Sequence, residues 1–181
     1  MRALEKRLRY TRREMMKASG AATFGAALVA SGGMLAAPDN AWAVEVKALK
    51  PQSMAALIQM ARDIFPHDNL ADRFYTSSVS AHDAKAAGDD AYKAMMEAGV
   101  AGLDLAAQGK GAASYVTLGW EIDRVTILRG IQATEFFQAV KGNLVTGIYN
   151  NPDVWPLFGY EGESASKGGY INRGFDDIDW L

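Results

Sequence analysis

The sequence contains no cysteine and only two histidines, His67 and His82. Without a thiol, the chain has no covalent c-type haem attachment, no thiolate zinc or iron–sulfur site, no disulfide and no cysteine nucleophile. Two histidines also leave little room for a histidine-rich metal site. The length of 181 residues suits one domain, which is large enough to bury a core without metal or disulfide support.

The first 43 residues have the composition of an export signal. Residues 1–17 carry seven basic and two acidic residues, whereas residues 18–37 are uncharged and mostly Ala and Gly. Pro38 follows, and Ala41-Trp42-Ala43 then places small residues at the two positions that a signal peptidase reads. This order of a basic region, an apolar region and an A-x-A site predicts a signal peptide over residues 1–43, with Ala41 and Ala43 directing cleavage.

The paired arginines indicate the export route. Arg12 and Arg13 are followed by Glu14, two methionines and Lys17, which resembles the twin-arginine translocation motif. This pathway carries folded proteins, so we expect the mature chain in the periplasm and the translocon as a partner. The alternative is a retained anchor, because twenty apolar residues could just span a bilayer. The weak hydrophobicity of Ala and Gly, together with Pro38 and the A-x-A site, favours cleavage.

The net charge of −2 is a sum of two opposed parts. Residues 1–43 hold seven of the 19 basic residues and three of the 21 acidic residues. Residues 44–181 therefore hold 12 basic and 18 acidic residues, a net charge of −6. An acidic mature chain argues against nucleic acid and against an anionic membrane surface as partners.

Apolar residues recur at helical spacing through residues 54–148. The first helical pattern starts at Pro51-Gln52-Ser53, with Ser53 as its predicted N-cap. Its apolar face runs from Met54 to Phe65, and Pro66 ends it. Another helix is predicted to start near Asp68 or Asn69, and no stretch alternates with period two for long enough to require a sheet.

Three further helical stretches complete the predicted domain. They begin at the Gly88-Asp89-Asp90 break, which offers a good N-cap, at residue 114 and near residue 137, and Gly130 interrupts the second of them. The sequence therefore predicts an all-α fold, a small bundle of four or five helices over residues 44–158.

Residues 159–181 form a predicted extended tail. Five glycines and no helical pattern lie in this segment, yet it also contains Tyr160, Tyr170, Phe175 and Trp180. A disordered tail is usually poor in aromatic residues. The tail is therefore expected to lie against its own bundle or against a partner protein.

The densest polar cluster is the segment from Arg62 to Asp68. His67 next to Asp68 fits a proton-transfer pair or a cofactor contact. It also fits a helix C-terminus, where Arg and His favour the helix dipole and Pro66 ends the helix. The second such pair, His82-Asp83, lies in an Ala-rich stretch and is a weaker candidate.

Other candidate metal sites have simpler explanations. The four methionines after residue 43 have the helical spacing of core residues rather than of a copper site. Asp176, Asp177 and Asp179 lack the loop pattern of a calcium site. There is no phosphate-binding loop and no nucleophile elbow. Residue chemistry alone therefore predicts no catalytic, cofactor-binding or metal-binding residue, and no enzyme in this chain on its own.

Two short segments carry a family resemblance. The first is Asp63-Ile64-Phe65-Pro66-His67-Asp68 at the end of the first predicted helix, and the second runs from Gly147-Ile148-Tyr149-Asn150-Asn151-Pro152 through Trp155 to Gly159-Tyr160. Together with the twin-arginine signal and a small helical domain, they make the chain resemble the gluconate 2-dehydrogenase subunit 3 family. The resemblance covers most of residues 52–162.

The resemblance implies an accessory role. Members of that family are the small, or gamma, subunits of FAD-dependent alcohol and sugar dehydrogenases, and they hold no cofactor themselves. The large subunit is a flavoprotein of the glucose-methanol-choline oxidoreductase type, which the small subunit binds and exports in folded form, and a cytochrome c subunit can accept the electrons. The interface would then include residues 150–160 and the tail, with these side chains as predicted contacts: His67, Trp155, Tyr160, Tyr170, Phe175 and Trp180.

Two other functions stay open at this point. One is a stand-alone periplasmic enzyme that uses His67 and Asp68, and the other is a binding protein for a small ligand, with aromatic side chains lining its pocket.

Overall fold

The computed structural model describes residues 27–29, 34–36, 43–172 and 175, and side chains from residue 45 onward. Five α-helices lie in this part of the chain: α1 (Pro51–Ile64), α2 (Asp72–Ala86), α3 (Asp90–Gln108), α4 (Glu121–Gly130) and α5 (Glu135–Tyr149). Short 3-10 helices follow at Trp155–Phe158 and Ala165–Lys167. The prediction of a small all-α bundle is therefore confirmed.

Three strands of three residues each precede the bundle. They are β1 (Ala27–Val29), β2 (Met34–Ala36) and β3 (Ala43–Glu45), and they form an antiparallel sheet in the order β1-β2-β3. Leu35 of β2 lies opposite Leu28 on one side and Val44 on the other. Strands this short leave no period-two pattern, so no local pattern predicts the sheet.

Helix α1 is the centre of the bundle and packs against each of the other four helices. Met54, Leu57, Ile58 and Met60 are completely buried. Because these residues cover more than one side of the helix, α1 is surrounded rather than amphipathic. Three of the four methionines expected in the core, Met54, Met60 and Met96, have no exposed surface, and Met95 is half-buried.

Helix α1 begins at Pro51, within the predicted start, but its N-cap differs from the prediction. Lys50, in extended conformation, is the N-cap and Pro51 occupies the first turn, so Ser53 lies inside the helix and is not the cap. Glu97 of α3 accepts hydrogen bonds from the Lys50 N–H and the Ser53 hydroxyl, both at 2.8 Å. Partial burial favours the neutral carboxyl, but these hydrogen bonds outweigh it and lower the pKa of Glu97. A side chain distant in sequence therefore caps α1, which no local pattern reveals.

Two other helices begin later than predicted. Helix α2 starts at Asp72 instead of Asp68, because the chain first makes a turn in which the Leu70 N–H donates to the carbonyl of His67. Helix α4 starts at Glu121 instead of residue 114. The hydroxyl of Thr117 accepts from the Ser114 N–H at 2.9 Å, a local bond that competes with helix formation.

Other helix ends agree with the sequence. Asp89 caps α3 by accepting a hydrogen bond from the Tyr92 N–H at 2.9 Å, and α4 ends at Gly130. The predicted stripe of α5 is buried in full, and it consists of Phe137, Val140, Leu144 and Ile148. None of the helices within the described residues is long and apolar enough to cross a membrane.

Helices α2 and α5 form the most extensive helix pair of the bundle, and they approach closely at Gly147. A Cβ added to Gly147 would lie 2.7 Å from Oγ, 2.9 Å from Cβ and 3.3 Å from Cα of Ser78. The Ser78 hydroxyl is itself fixed, because it donates to the carbonyl of Phe74 at 2.9 Å. Gly147 therefore sets the distance between the two helices.

We expect Gly147→Ala to lower the free energy of unfolding by about 1–3 kcal/mol, because the added methyl overpacks a backbone contact. Urea unfolding followed by circular dichroism measures the change. Gly142→Ala is the matched control in the same helix: nothing lies within 4 Å of a Cβ at Gly142, so helix propensity should raise stability by about 0.5–1 kcal/mol. If both substitutions changed the free energy of unfolding in the same direction, Gly147 would not be what sets the distance between α2 and α5.

Candidate functional site

The first resemblance segment ends α1 and turns into a fixed loop. The Tyr75 hydroxyl of α2 donates to the carbonyl of Phe65 at 2.6 Å and accepts from the His67 N–H at 3.1 Å. Burial raises the pKa of Tyr75, so the hydroxyl keeps its proton and can serve both roles. The loop therefore presents the imidazole of His67 at a defined place beside the end of α5.

The second resemblance segment meets His67 there. Nε2 of His67 lies 2.7 Å from the Tyr149 hydroxyl, and the rings of His67 and Phe158 contact edge to face at 4.9 Å between centroids. Phe65 packs against Tyr149 in the same manner at 5.7 Å. Partial burial raises the pKa of Tyr149. We call these four residues, Phe65, His67, Tyr149 and Phe158, the His67 cluster.

Trp155 and Tyr160 extend the cluster along the chain. The indole N–H of Trp155 donates to the carbonyl of Tyr149 at 2.8 Å, and its ring meets that of Tyr160 edge to face at 5.3 Å. The turn between them uses Gly159 with a φ of 70°, which allows the Tyr160 N–H to bond the Trp155 carbonyl at 2.9 Å. Three of the predicted interface residues, His67, Trp155 and Tyr160, are thus brought into one region.

Much of this region is open to solvent. Phe158 is 43% exposed, Tyr160 48%, Leu157 48% and Tyr149 39%. We call these four residues the aromatic patch. Large exposed apolar groups in one place are typical of an interaction surface.

The predicted contacts in the tail are described only in part. Tyr170 and Phe175 are 56% and 78% exposed, and Trp180 lies outside the described residues. The tail begins with a local turn in which the Lys167 ammonium bonds the carbonyl and the carboxylate of Glu161. The predicted contacts Tyr170 and Phe175 therefore have accessible rings. Arg12, Arg13 and Ala41 also lie outside the described residues, and Ala43 opens β3.

His67 and Asp68 do not form a proton-transfer pair in this geometry. The imidazole bonds the Tyr149 hydroxyl, and Asp68 is exposed. Within the described residues, no hydrogen bond joins the Asp68 carboxylate to the ring. Both residues line a small depression of about 190 Å³ that also includes Arg62, Glu121 and Arg124.

A buried ionic network lies directly behind this depression. Arg124 of α4 binds the Asp63 carboxylate of α1 through Nε at 2.8 Å and Nη2 at 3.0 Å, and the Tyr115 hydroxyl donates to it at 2.7 Å. Arg124 also donates to the carbonyl of Leu118 at 2.6 Å. Burial disfavours the guanidinium charge, but Asp63 outweighs this and raises the pKa of Arg124. Burial raises the pKa of Tyr115, and the Asp63 charge raises it further.

The second histidine pair is buried and structural. The carboxylate of Asp83 accepts hydrogen bonds from the backbone N–H groups of Lys47, Ala48 and Leu49 at 2.8, 3.0 and 2.8 Å. It thereby fixes the segment that leads into α1. Nδ1 of His82 lies 2.6 Å from the Tyr92 hydroxyl, and its Nε2 is buried without a partner among the described residues. The two residues that seemed the weaker candidates thus hold α2, α3 and the linker together.

The described residues contain no group of three or more histidine and carboxylate side chains placed to hold a metal ion. Neither a family model, nor a curated protein, nor a solved structure matches this chain.

Sequence reasoning missed the Asp63–Arg124–Tyr115 network and the Asp83 clamp. One signal was available for the first: Asp63 lies three residues after Met60, on the same side of α1 as that buried residue, where a charge needs a partner. The partner itself, 61 positions later in the chain, has no local signature.

Proposed function

We propose that this chain is a non-catalytic accessory subunit that binds a periplasmic FAD-dependent dehydrogenase and carries it through the twin-arginine pathway. The flavin belongs to the large subunit, which is of the glucose-methanol-choline oxidoreductase type, and a cytochrome c subunit is a further candidate partner. Arg12 and Arg13 would bind the translocon, and Ala41 and Ala43 would direct cleavage.

One observation supports this proposal most. The two segments that carry the family resemblance, 63–68 and 147–160, are separate in sequence but meet in the His67 cluster and border one exposed aromatic patch. Aromatic residues are enriched at the energetically dominant centres of protein interfaces. A subunit that recognises the same kind of partner as the family does would need a surface built from the segments in which it resembles the family.

The stand-alone enzyme has less support. His67 would need to exchange protons with a substrate, yet its Nε2 is engaged by Tyr149 and lies among aromatic rings rather than in a deep pocket. Purified alone, an enzyme of this kind would show turnover that His67→Ala abolishes. Turnover of that kind would overturn the accessory role.

Export of the partner tests the carrier function. With both arginines replaced by lysine, Arg12→Lys/Arg13→Lys, the flavoprotein that co-purifies with this chain should remain in the cytoplasm. The measurement is flavin absorbance and immunoblotting of cytoplasmic and periplasmic fractions. An unchanged periplasmic level of the flavoprotein would rule out the carrier function, and a flavoprotein with its own signal peptide would do the same.

Loss of the aromatic patch should weaken partner binding. We expect Leu157→Ser/Phe158→Ser to reduce co-purification of the flavoprotein at least ~10-fold, because each substitution removes apolar contact area from the centre of the proposed interface. The matched control is Leu105→Ser/Ile122→Ser, two residues that are 70% and 65% exposed on α3 and α4. Equal loss in both variants would argue against the patch as the interface.

The tail is tested separately. A chain that ends at Gly162 lacks the predicted contacts Tyr170, Phe175 and Trp180. If they belong to the interface, this chain should hold the flavoprotein more weakly than the full chain does. Unchanged co-purification would remove the tail from the interface and leave the patch as the contact.

A further inference from the structure

A second concave site, which shares only Phe65 with the His67 cluster, lies at the junction of α1, α4 and α5. It is a cleft of about 320 Å³ with an apolar floor, formed by Ile64, Phe65, Val125, Leu128 and Phe137. Its polar rim consists of Arg129, Gln132, Gln138 and Lys141. We call it the Arg129–Lys141 cleft. Its volume is at the lower end of the range of small-molecule pockets.

The uncompensated charges around the cleft are positive. Arg129 and Lys141 are both exposed, and within the part of the chain that the structure describes neither forms an ion pair or a side-chain hydrogen bond. The one carboxylate that lines the cleft, Asp63, already accepts from Arg124, Tyr115 and Gln59. Its charge is therefore neutralised, and the two cations face the cleft without a counter-ion.

The rim is also rich in hydrogen-bond donors. Gln138 donates through Nε2 to the carbonyl of Gln132 at 2.7 Å, which closes the α4–α5 loop over one side of the cleft. A guanidinium, an ammonium and the amide of Gln132 remain to meet a ligand. Arginine binds carboxylates in a planar, bidentate manner, and lysine adds a point charge.

We propose that the Arg129–Lys141 cleft binds a small amphipathic anion, a carboxylate on an apolar body. The carboxylate would lie between Arg129 and Lys141, and the apolar body on Val125, Leu128 and Phe137. A concave volume of this size suits a small molecule better than a long peptide, which needs an extended groove. This site is independent of the proposed export function.

Octanoate is the probe for the test, added to the purified chain and followed by two-dimensional NMR. Saturable shifts are expected at amides of residues 125–141. Octanol and octylammonium, which have the same apolar body without the negative charge, should bind at least ~10-fold more weakly. Octylammonium that binds as tightly as octanoate would overturn the assignment.

Charge variants locate the site. Arg129→Gln/Lys141→Gln should weaken octanoate binding at least ~10-fold, since both charge-assisted hydrogen bonds are lost. Lys47→Gln/Lys93→Gln removes the same charge elsewhere and should leave binding unchanged. Equal weakening in both variants, or no saturable binding at all, would refute the cleft as an anion site. Shifts caused by an acidic peptide but not by octanoate would make it a protein-docking surface instead and would overturn the small-molecule proposal.

Discussion

Arg124→Met is expected to lower the free energy of unfolding by about 3–5 kcal/mol, the largest effect of any single substitution considered. The side chains of Asp63 and Arg124 are only 3% and 12% exposed. Removal of the guanidinium leaves the Asp63 carboxylate buried, with hydrogen bonds from Tyr115 and Gln59 but no counter-charge. Urea unfolding monitored by circular dichroism at pH 7 gives the value.

A second variant separates lost charge balance from lost packing. Asp63→Asn/Arg124→Met removes both charges and keeps an oxygen that can accept from Tyr115, so it should be clearly more stable than Arg124→Met alone. A double variant no more stable than the single one would show that lost packing, rather than an unpaired buried charge, causes the effect.

An exposed ion pair provides the control. Lys110 and Asp123 lie 2.8 Å apart with 33% and 35% of their side chains exposed. Lys110→Met should cost no more than about 1 kcal/mol, because surface ion pairs contribute little. A cost comparable to that of Arg124→Met would mean that burial is not what distinguishes the two pairs.

Acidification is expected to destabilise the bundle through His82. Desolvation by burial, aided by the nearby Lys85 ammonium, lowers the pKa of His82 from 6.5 to about 4. The unfolded chain therefore binds a proton below pH 6.5 that the folded chain does not bind until about pH 4. Stability due to this group falls as the pH falls through that window, by about 2 kcal/mol at pH 5 relative to pH 7.5.

The surroundings of the imidazole explain why it resists protonation. Nδ1 bonds the Tyr92 hydroxyl, Nε2 is buried without a partner among the described residues, and the Lys85 ammonium lies 3.8 Å from the centre of the Tyr92 ring. A proton on Nε2 would be a buried charge with no acceptor. The carboxylate of Asp83, the next residue, is engaged with the backbone N–H groups of residues 47–49.

Urea unfolding at a series of pH values tests the prediction. His82→Gln should lose the part of the pH dependence that lies between pH 6.5 and 4, whatever its stability at pH 7.5. Tyr92→Phe removes the hydrogen bond but keeps the buried imidazole, so it should retain that pH dependence. An unchanged pH profile in His82→Gln would contradict the assignment to His82.

The sequence predicted those helix ends and buried faces that depend on a single residue or on a single stripe of apolar residues. The Asp89 cap, the end of α4 at Gly130 and the buried stripe of α5 all follow from local geometry, and the structure confirms them. The N-cap of α1 and the starts of α2 and α4 were predicted wrongly. The start of α1 depends on Glu97 from another helix, which a local pattern cannot reveal.

In the candidate site, too, some features could be predicted from the sequence and others could not. His67, Trp155 and Tyr160 could be singled out from the sequence because of the resemblance and the aromatic content of their segments. Their convergence could not, since 82 positions separate His67 from Tyr149. The Arg129–Lys141 cleft also has no sequence motif, because its floor and rim come from three helices.

By itself, the sequence determined that the chain has no thiol chemistry, an acidic part after residue 43, an N-terminal segment with the composition of an export signal and an all-α bundle. Each of these features depends on composition or on apolar residues that recur every three to four positions, and both can be read from residues close together in the sequence. Only the tertiary structure decided that Asp63, His82 and Asp83 are buried, and that His67 and Tyr149 meet. Burial and pairing depend on which helices come together, and packing across the whole domain settles that.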